Sequence, residues 1–209
     1  MILKPDDRIL FTGDSITDSN RRMDENHPLG TTGYVLFTAA RLTAHFASPK
    51  LEIFNRGIGG NRVIDLLGRF DADLLALKPT VVSIMIGIND TWRAFDSNDP
   101  TTTESFEENY RKILTRIGKE LKARVVLMEP FVLHVPKDRH QWRSDLNPRI
   151  DAVRRLALEF NTDLIPLDGL FAQAATRAPA EFWAADGVHP TIPGHQLMAE
   201  AWLRNAGIA

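Results

Sequence analysis

TVVSIMIGIND, residues 80–90, opens with a run that is almost entirely apolar or β-branched and then becomes polar. Such a run predicts a β-strand that is covered on both faces, as the strands of parallel sheets are. The run ends at Gly87, and Asn89 and Asp90 follow it directly. This stretch therefore predicts an α/β protein in which polar residues lie just beyond the carboxyl end of a buried strand.

Shorter apolar runs and longer helical patterns alternate on both sides of this stretch. Besides 80–86, strands are predicted at 8–12, 51–55, 124–128 and 163–166, and helices at 34–46, 61–77, 103–121, 146–160 and 193–205. The alternation implies a parallel sheet with right-handed crossovers and helices on both faces. We expect one domain over residues 1–209, a three-layer, flavodoxin-like α/β/α sandwich around a five-stranded parallel sheet.

The composition argues against several classes of protein. The 209 residues carry 25 Lys and Arg against 27 Asp and Glu, whereas proteins that bind nucleic acids or anionic membranes rely on an excess of positive charge. The chain has no cysteine, which removes disulfides, thiol nucleophiles and thiolate zinc sites. No apolar run approaches the ~20 residues of a membrane helix, and the N-terminus does not read as a leader. We expect a cytoplasmic protein that binds neither nucleic acid nor membrane.

The first of four polar segments that suggest chemistry is GDSIT, residues 13–17, directly after the first strand. Gly13 allows a tight turn, and Ser15 can present its hydroxyl at the edge of the sheet, where functional sites of such folds lie. Because position 17 is Thr, the segment is not a Gly-x-Ser-x-Gly elbow. An ordinary turn or a helix N-cap is the alternative interpretation.

The segments after the second and third strands each offer hydrogen-bond donors. NRGIGGN, residues 55–61, has three glycines that let the backbone approach a ligand, but it lacks the spacing of a nucleotide-binding loop. Taken alone, the segment is better explained as a tight turn with Asn61 capping the next helix. In GIND, residues 87–90, the Asn89 amide is a good neutral donor toward a developing oxyanion, although Asn and Asp are also common turn residues.

The fourth segment is DGVHP, residues 186–190. Asp186 could accept a hydrogen bond from one imidazole nitrogen of His189 while the other nitrogen faces a nucleophile; an exposed turn is the alternative. Together the four segments supply a nucleophile, donors, a base and an orienting carboxylate in the chain order Ser, Asp, His. That combination favours an enzyme over four unrelated turns.

The same four segments resemble the conserved blocks of the SGNH, or GDSL-type, serine hydrolases, from residue 13 to residue 190. The resemblance implies a triad in which Ser15 is the nucleophile and Asp186 orients the base His189. It implies an oxyanion hole made by the N–H groups of Ser15 and Gly60 and the side chain of Asn89. It also implies ester hydrolysis through an acyl-enzyme, with a small ester as partner and without a metal or an organic cofactor.

A narrower resemblance to intracellular bacterial acetylxylan esterases covers residues 83–93, 13–18, 32–34 and 188–190, together with 194–195. It implies that the substrates are acetyl esters of xylo-oligosaccharides or other sugars, and that the chain forms a homo-oligomer. The chain departs from these enzymes before the catalytic Asp186, where they have an aromatic residue and this chain has Ala185. Trp183 lies two residues earlier.

Several residues around these segments are expected to contact the substrate. Trp92 and Arg93 follow the oxyanion segment, and Trp92 is either a stacking face for a sugar or a packing aromatic. The irregular stretches 15–33 and 129–147 are expected to rim the site. The polar residues expected at this rim favour a hydrated substrate over the acyl chains of a lysophospholipase or thioesterase. These residues are Arg21, Arg22, Asp24, Glu25, Arg93, His140 and Arg143. Outside enzymes, the alternative is a catalytically idle flavodoxin-like binding module.

The remaining histidines and aromatics have simpler expected roles. His134, His140 and Trp142 are expected to be surface loop residues, because their spacing is not a recognised zinc pattern. His195 is expected to cap or pack rather than to act as a second base. Phe182 and Trp202 are expected to be exposed aromatics that could form a self-interface.

Overall fold

The computed structural model describes residues 1–23 and 26–208, and its centre is one parallel sheet. The strand order is β2-β1-β3-β4-β5, and the pairings between neighbours are parallel. The strands are β1 Arg8–Gly13, β2 Glu52–Gly57, β3 Val81–Met85, β4 Arg124–Met128 and β5 Asp163–Ile165. The predicted five-stranded, flavodoxin-like sheet is therefore confirmed.

Helices connect the strands and cover both faces of the sheet. Those of the described residues are α1 Ser15–Asp18, α2 Tyr34–Phe46, α3 Val63–Gly68, α4 Ile88–Asp96, α5 Thr103–Arg116, α6 Arg143–Glu159, α7 Leu167–Ala174, α8 Ala180–Trp183 and α9 Ile192–Asn205. There are also π-helical turns at Asp71–Leu75 and Ile117–Leu121 and a 3₁₀ helix at Lys137–Trp142. None of the helices in the described ranges combines the length and apolarity needed to cross a bilayer.

Alternate residues of each strand face two separate hydrophobic layers, because successive strand side chains point to opposite faces. Ile9 and Phe11 belong to the layer that includes α2 and α9, whereas Leu10 belongs to the layer that includes α3, α5 and α6. All three side chains are fully buried. Burial of one such side chain typically stabilises a fold by ~1.5–3 kcal/mol, so the two layers together fix the sandwich.

The register of the sheet brings three strand ends to one level. Gly13 of β1 pairs with Gly57 of β2 and with Met85 of β3, so the segments that follow these strands leave the sheet side by side. The chain continues from β1 to α2 on one face and from β3 to α5 on the other, which opens a crevice between the two strand ends.

The first turn of α1 packs directly on these strand ends. A Cβ on Gly57 would lie 2.2 Å from the Asp18 nitrogen, and a Cβ on Gly13 would lie 2.5 Å from Thr17 Oγ1. Only glycine leaves enough space at these positions. The close packing holds the start of α1, and with it Ser15, over the crevice.

Several elements differ from the sequence prediction. The helix predicted at 61–77 is α3 followed by a π-helical turn, and the stretch 129–147 contains the 3₁₀ helix and the start of α6. The short helices α1, α4, α7 and α8 were not predicted. With four to nine residues each, they show too few turns for a 3.6-residue periodicity to stand out.

Two tryptophans expected at the surface are buried, so those predictions were wrong. Trp202 is fully buried, because α9 packs with α2 against the sheet, and its Nε1 donates to Ser83 Oγ at 3.1 Å. Trp142 is 2% exposed. Phe182 is 50% exposed, as expected. The expected rim residues Asp24 and Glu25 lie outside the described residues.

Candidate active site

Ser15 is the first residue of α1, and Asp14 caps that helix. The Asp14 carboxylate accepts a hydrogen bond from the Ile16 N–H at 3.0 Å. Capping is thus the role of Asp14, while the Ser15 hydroxyl remains available and points at His189. Burial raises the pKa of Asp14 to about 6, against the opposing hydrogen bond from Ile16.

A continuous line of hydrogen bonds joins Ser15, His189 and Asp186. Ser15 Oγ lies 2.8 Å from His189 Nε2, and His189 Nδ1 lies 2.7 Å from Asp186 Oδ2. Because an ionised carboxylate only accepts, Nδ1 carries the proton and Nε2 is the acceptor for the serine hydroxyl. This tautomer is the one that can remove the Ser15 proton.

Asp186, at one end of this line, controls the protonation of His189. The hydrogen bond to Asp186 raises the pKa of His189, and it outweighs the opposing effect of burial. Burial by itself opposes ionisation of Asp186, but hydrogen bonds from His189 and from the Val188 N–H hold the pKa of that carboxyl well below its usual range. Asp186 therefore stays ionised wherever His189 can act as a base.

The turn that carries His189 is docked on the segment after β4. Gly187 has a φ of +80°, and a Cβ there would lie 2.3 Å from the Val135 oxygen and 2.4 Å from the Leu133 oxygen. The Leu133 N–H donates to the Gly187 oxygen at 2.8 Å. Only a glycine fits this conformation and this space, so the turn places His189 rigidly.

Hydrogen-bond donors converge on the same crevice from the segments after β2 and β3. Asn89 lies in the first turn of α4, and its Nδ2 donates to the Asn61 oxygen at 3.0 Å, which leaves the second N–H of the amide available. Gly60 has a φ of +82°, and a Cβ on the preceding Gly59 would lie 3.8 Å from the Ser15 Cβ. Among the described residues, the backbone N–H groups of Ser15 and Gly60 have no acceptor.

The backbone of the glycine segment is held by side chains that sequence reasoning did not identify. Arg69 donates to the Gly13 oxygen at 3.1 Å, to the Arg56 oxygen at 2.7 Å and to Asn61 Oδ1 at 2.8 Å. One guanidinium thus ties β1 and β2 to the residue that orients Asn89. The alternative interpretation of that segment, in which Asn61 caps α3, is wrong. The residue at the N-cap position of α3 is Arg62.

Asn55, Asp18 and Arg21 support the other side of the segment. Asn55 is buried and donates to the Thr17 oxygen at 2.6 Å, while its Oδ1 accepts from the Gly57 N–H. Asp18 accepts from the Gly59 N–H at 3.2 Å, and Arg21 donates twice to the Gly57 oxygen. The position of Asn55 at the end of the second strand was a usable signal, whereas nothing local singles out Arg69.

Trp92 and Arg93 both lie beside the reaction centre. The rings of Trp92 and His189 are 5.9 Å apart between centroids. A Cβ on Gly60 would lie 3.8 Å from Arg93 Nη2, and Arg93 Nη1 donates to Asp96 at 2.5 Å. The structure therefore brings both residues to the site, where their role toward a substrate stays a prediction.

Other expected rim residues are occupied by protein contacts. Arg143 pairs with both oxygens of Asp168 at 2.8 and 2.9 Å and donates to the Val132 oxygen. Arg21 is likewise bound to the Gly57 oxygen. The sequence predicts that both arginines make the rim polar, but in the structure their donors are largely used in contacts within the protein.

The histidines away from the triad have structural or surface positions. His195 accepts the Tyr34 N–H through Nδ1 at 3.2 Å, which confirms the predicted capping role, and burial lowers the pKa of His195 to about 4. His134 and His140 are exposed and lie 4.8 Å apart between ring centroids. Within residues 1–23 and 26–208, no group of three or more His, Cys, Asp or Glu residues is arranged to hold a metal ion.

The assembled geometry suits attack on an acyl carbonyl. A hydroxyl bonded to a neutral imidazole is an activated nucleophile, and donors beside it can receive the negative charge of a tetrahedral intermediate. No part of this arrangement is specific for a particular alcohol or acyl group. The surroundings of Trp92 and Arg93 must supply that choice.

Comparison with known proteins gives the chain a family context. The sequence profile of the GDSL-like lipase/acylhydrolase family matches residues 11–197. An acetylxylan esterase from Geobacillus stearothermophilus is 34% identical over 208 residues, which cover 96% of this chain and 94% of that protein. The profile match includes all four segments described above.

Solved structures resemble this one over nearly their whole length. A structure named as a GDSL-like lipase from Parabacteroides merdae has a TM-score of 0.93 at 40% identity. The alignment covers 99% of this chain and 98% of the Parabacteroides chain. The structure of the acetylxylan esterase Axe2 from Geobacillus stearothermophilus has a TM-score of 0.88 at 31% identity. The alignment covers 100% of this chain and 98% of the Axe2 chain. Fold and sequence thus point to the same group of proteins.

Proposed function

We propose that this chain, which belongs to the GDSL-like lipase/acylhydrolase family and is a carboxylic ester hydrolase, acts on acetylated sugars. In this proposal it removes acetyl groups from xylo-oligosaccharides. The observation that carries the chemistry is the hydrogen-bonded line from Ser15 through His189 to Asp186. The likeness to an acetylxylan esterase supports the choice of substrate.

In the proposed reaction, Ser15 Oγ attacks the carbonyl carbon of the acetyl ester while His189 Nε2 takes the hydroxyl proton. The N–H groups of Ser15 and Gly60 and the free N–H of the Asn89 amide bind the oxyanion, each contributing ~3–4 kcal/mol to the transition state. His189 then protonates the departing sugar oxygen. Water attacks the acetyl-enzyme with the same base, and acetate leaves.

The surroundings of the site support a short acyl group and a polar alcohol. Each further methylene of the acyl chain would contribute ~0.8 kcal/mol only where apolar surface receives it. The groups beside the reaction centre include the Arg93–Asp96 ion pair, which a long acyl chain would have to desolvate. This favours acetyl esters over the substrates of a lysophospholipase or thioesterase.

Measuring kcat/KM for acetyl, butyryl and octanoyl p-nitrophenyl esters, beside acetate release from acetylated xylose and xylobiose, tests the proposal. We expect kcat/KM to fall from acetyl to octanoyl and both sugars to release acetate. A maximum at octanoyl, without acetate from the sugars, would instead favour a lysophospholipase or thioesterase. A folded protein that hydrolyses none of these esters would be an idle binding module.

Two expectations from the sequence, a homo-oligomer and a cytoplasmic location, belong to the same proposal. With Trp202 buried, the exposed apolar residues near α8 and α9 are Phe182 and Ile192, and these support a self-interface. Light scattering over a range of concentrations tests it, and a constant monomer mass would contradict it. A cytoplasmic enzyme would meet short oligosaccharides rather than polymeric xylan, and cell fractionation tests that location.

A further inference from the structure

A cleft of about 360 Å³ lies between α4 and the 3₁₀ helix Lys137–Trp142, next to the reaction centre. Its volume falls within the ~300–1,000 Å³ range of ligand sites. From α4 it is lined by Trp92, Phe95 and Asp96. From the 3₁₀ helix it is lined by Asp138, Arg139 and Trp142. Apolar rings and charged groups therefore face the same space.

The helical repeat of α4 connects this cleft to the oxyanion donors. Asn89, Arg93 and Asp96 follow one another at intervals of about one turn, so they lie along one face of the helix. From Asn89 to Asp96 the helix rises ~10 Å, enough for more than one sugar ring. Trp92, whose ring contacts His189, forms the end of the cleft nearest the base. A leaving group whose oxygen His189 protonates would extend into this space.

A buried tryptophan supports the aromatic wall of the cleft. The ring of Trp142 lies parallel to Phe95, at 5.6 Å and 20°, and 5.1 Å from the ring of Trp92. Phe95 itself is 42% exposed, so its ring is held in place while part of its surface faces solvent. A fixed, open aromatic ring is the surface on which the C–H face of a pyranose stacks.

Charged groups lie beside the open ring of Phe95 in the same cleft, within reach of the hydroxyls of a sugar stacked on that ring. The Arg139 guanidinium packs over Trp142 at 4.1 Å and over Trp92 at 5.0 Å, and it pairs with Asp138 at 3.2 Å. The Nε of Arg139 is buried against the rings, so the outer nitrogens of the guanidinium are the donors that a hydroxyl would reach. A hydrocarbon chain here would desolvate Arg139 and Asp138 without compensation, whereas sugar hydroxyls can bond to them.

We propose that this cleft is the subsite for the sugar that leaves on deacetylation, with Phe95 as the stacking face, Trp92 as the wall nearest the base, and Arg139 and Asp138 as hydroxyl partners. The proposal rests on the proposed function, since it concerns the alcohol side of the same ester. Trp142 is a positioning residue, because it holds the three cleft-facing side chains without being exposed itself. The subsite makes the enzyme specific for carbohydrate esters over simple alkyl esters.

The test compares two substrates in the Phe95→Ala and Arg139→Ala variants. Acetylated xylobiose fills the cleft, whereas ethanol, the leaving group of ethyl acetate, is too small to reach it. We expect kcat/KM for the sugar to fall about tenfold, mainly through KM, as the loss of one aromatic or cation–π contact does. We expect kcat/KM for ethyl acetate to change less than about twofold.

Arg116→Ala is the matched control, because Arg116 also packs over an aromatic ring, that of Phe70 at 4.0 Å, away from this cleft. It should leave both activities unchanged. Equal losses on both substrates in the cleft variants would overturn the subsite, and so would sugar turnover that survives both substitutions. A wild-type protein that hydrolyses ethyl acetate but not the sugar would overturn the subsite and the proposed substrate together.

Discussion

Asp186 holds His189 at two points, through a different oxygen at each. Oδ1 accepts the His189 backbone N–H at 2.7 Å, and Oδ2 accepts the ring N–H on Nδ1, also at 2.7 Å. The carboxylate therefore fixes the ring relative to its own backbone, and Nε2 is left facing Ser15. Orientation and protonation of the base are set by one residue, three positions earlier in the chain.

Replacing Ser15 with Ala should abolish most of the activity. The substitution removes the nucleophile but no core packing, so the protein should stay folded while kcat falls by at least ~10³. Turnover of p-nitrophenyl acetate and the thermal midpoint of unfolding measure the two effects. Near-normal turnover in a folded Ser15→Ala protein would rule out the proposed mechanism.

The pH profile should report the protonation of His189. The base must be neutral, and Asp186 raises the pKa of His189, so kcat/KM should fall as pH drops through a midpoint above ~6.5. In Asp186→Asn the raising interaction is lost, so the midpoint should move to lower pH while kcat falls by about 10⁴. A wild-type profile that is flat from pH 5 to pH 8 would mean that His189 is not the base.

Asn89→Ala should lower kcat by about 10²–10³ and change KM little, since the amide binds charge that develops only in the transition state. Its fold should be preserved, because the lost contact is a single hydrogen bond to the Asn61 oxygen. Steady-state kinetics on an acetyl ester separate the two constants. A change confined to KM would place Asn89 in ground-state binding instead.

Gly187→Ala should destabilise the protein and displace the base. The left-handed conformation alone costs ~1–2 kcal/mol for alanine, and here the new methyl group would also collide with two carbonyl oxygens. Gly207→Ala is the matched control, since Gly207 has a φ of +72° but nothing within 4 Å of an added Cβ. Denaturant unfolding should show a clearly larger loss at position 187, together with a loss of kcat. Equal losses at the two positions would mean that the docking on 133–135 is unimportant.

Asp90 should make stability depend on pH. Burial raises the pKa of Asp90 from its ordinary value of 3.8 to about 7 in the folded chain. Between these values the folded state binds more protons than the unfolded state, so the free energy of unfolding falls as pH rises from about 4 to about 7. Asp90→Asn lacks this effect. Its stability relative to wild type should therefore increase by at least ~1 kcal/mol between pH 5 and pH 8, as measured by denaturant unfolding. No change, or a change of opposite sign, would contradict it.

Local pattern was enough to predict the elements that position the site. The strand in 80–86 and the helix at 34–46 were found because each shows its own periodicity, and α2 has the predicted bounds. The parallel sheet then implied that the segments holding Ser15, Gly60 and Asn89 share one edge. The structure brings these residues together with His189 and Asp186, and their catalytic roles stay predictions for the variants above to test.

Contacts between distant parts of the chain decided the rest. Whether Trp202 and Trp142 are buried depends on which helix faces meet, and a single sequence does not encode that in any local pattern. Arg69 supports the glycine segment because the sheet register brings Gly13, Arg56 and Asn61 within its reach. The cleft exists because α4 and the 3₁₀ helix, more than 40 residues apart in sequence, pack around Trp142. Sequence alone thus determined the strands, the long helices between them and the reactive groups, while long-range packing determined the supports of those groups and the space beside them.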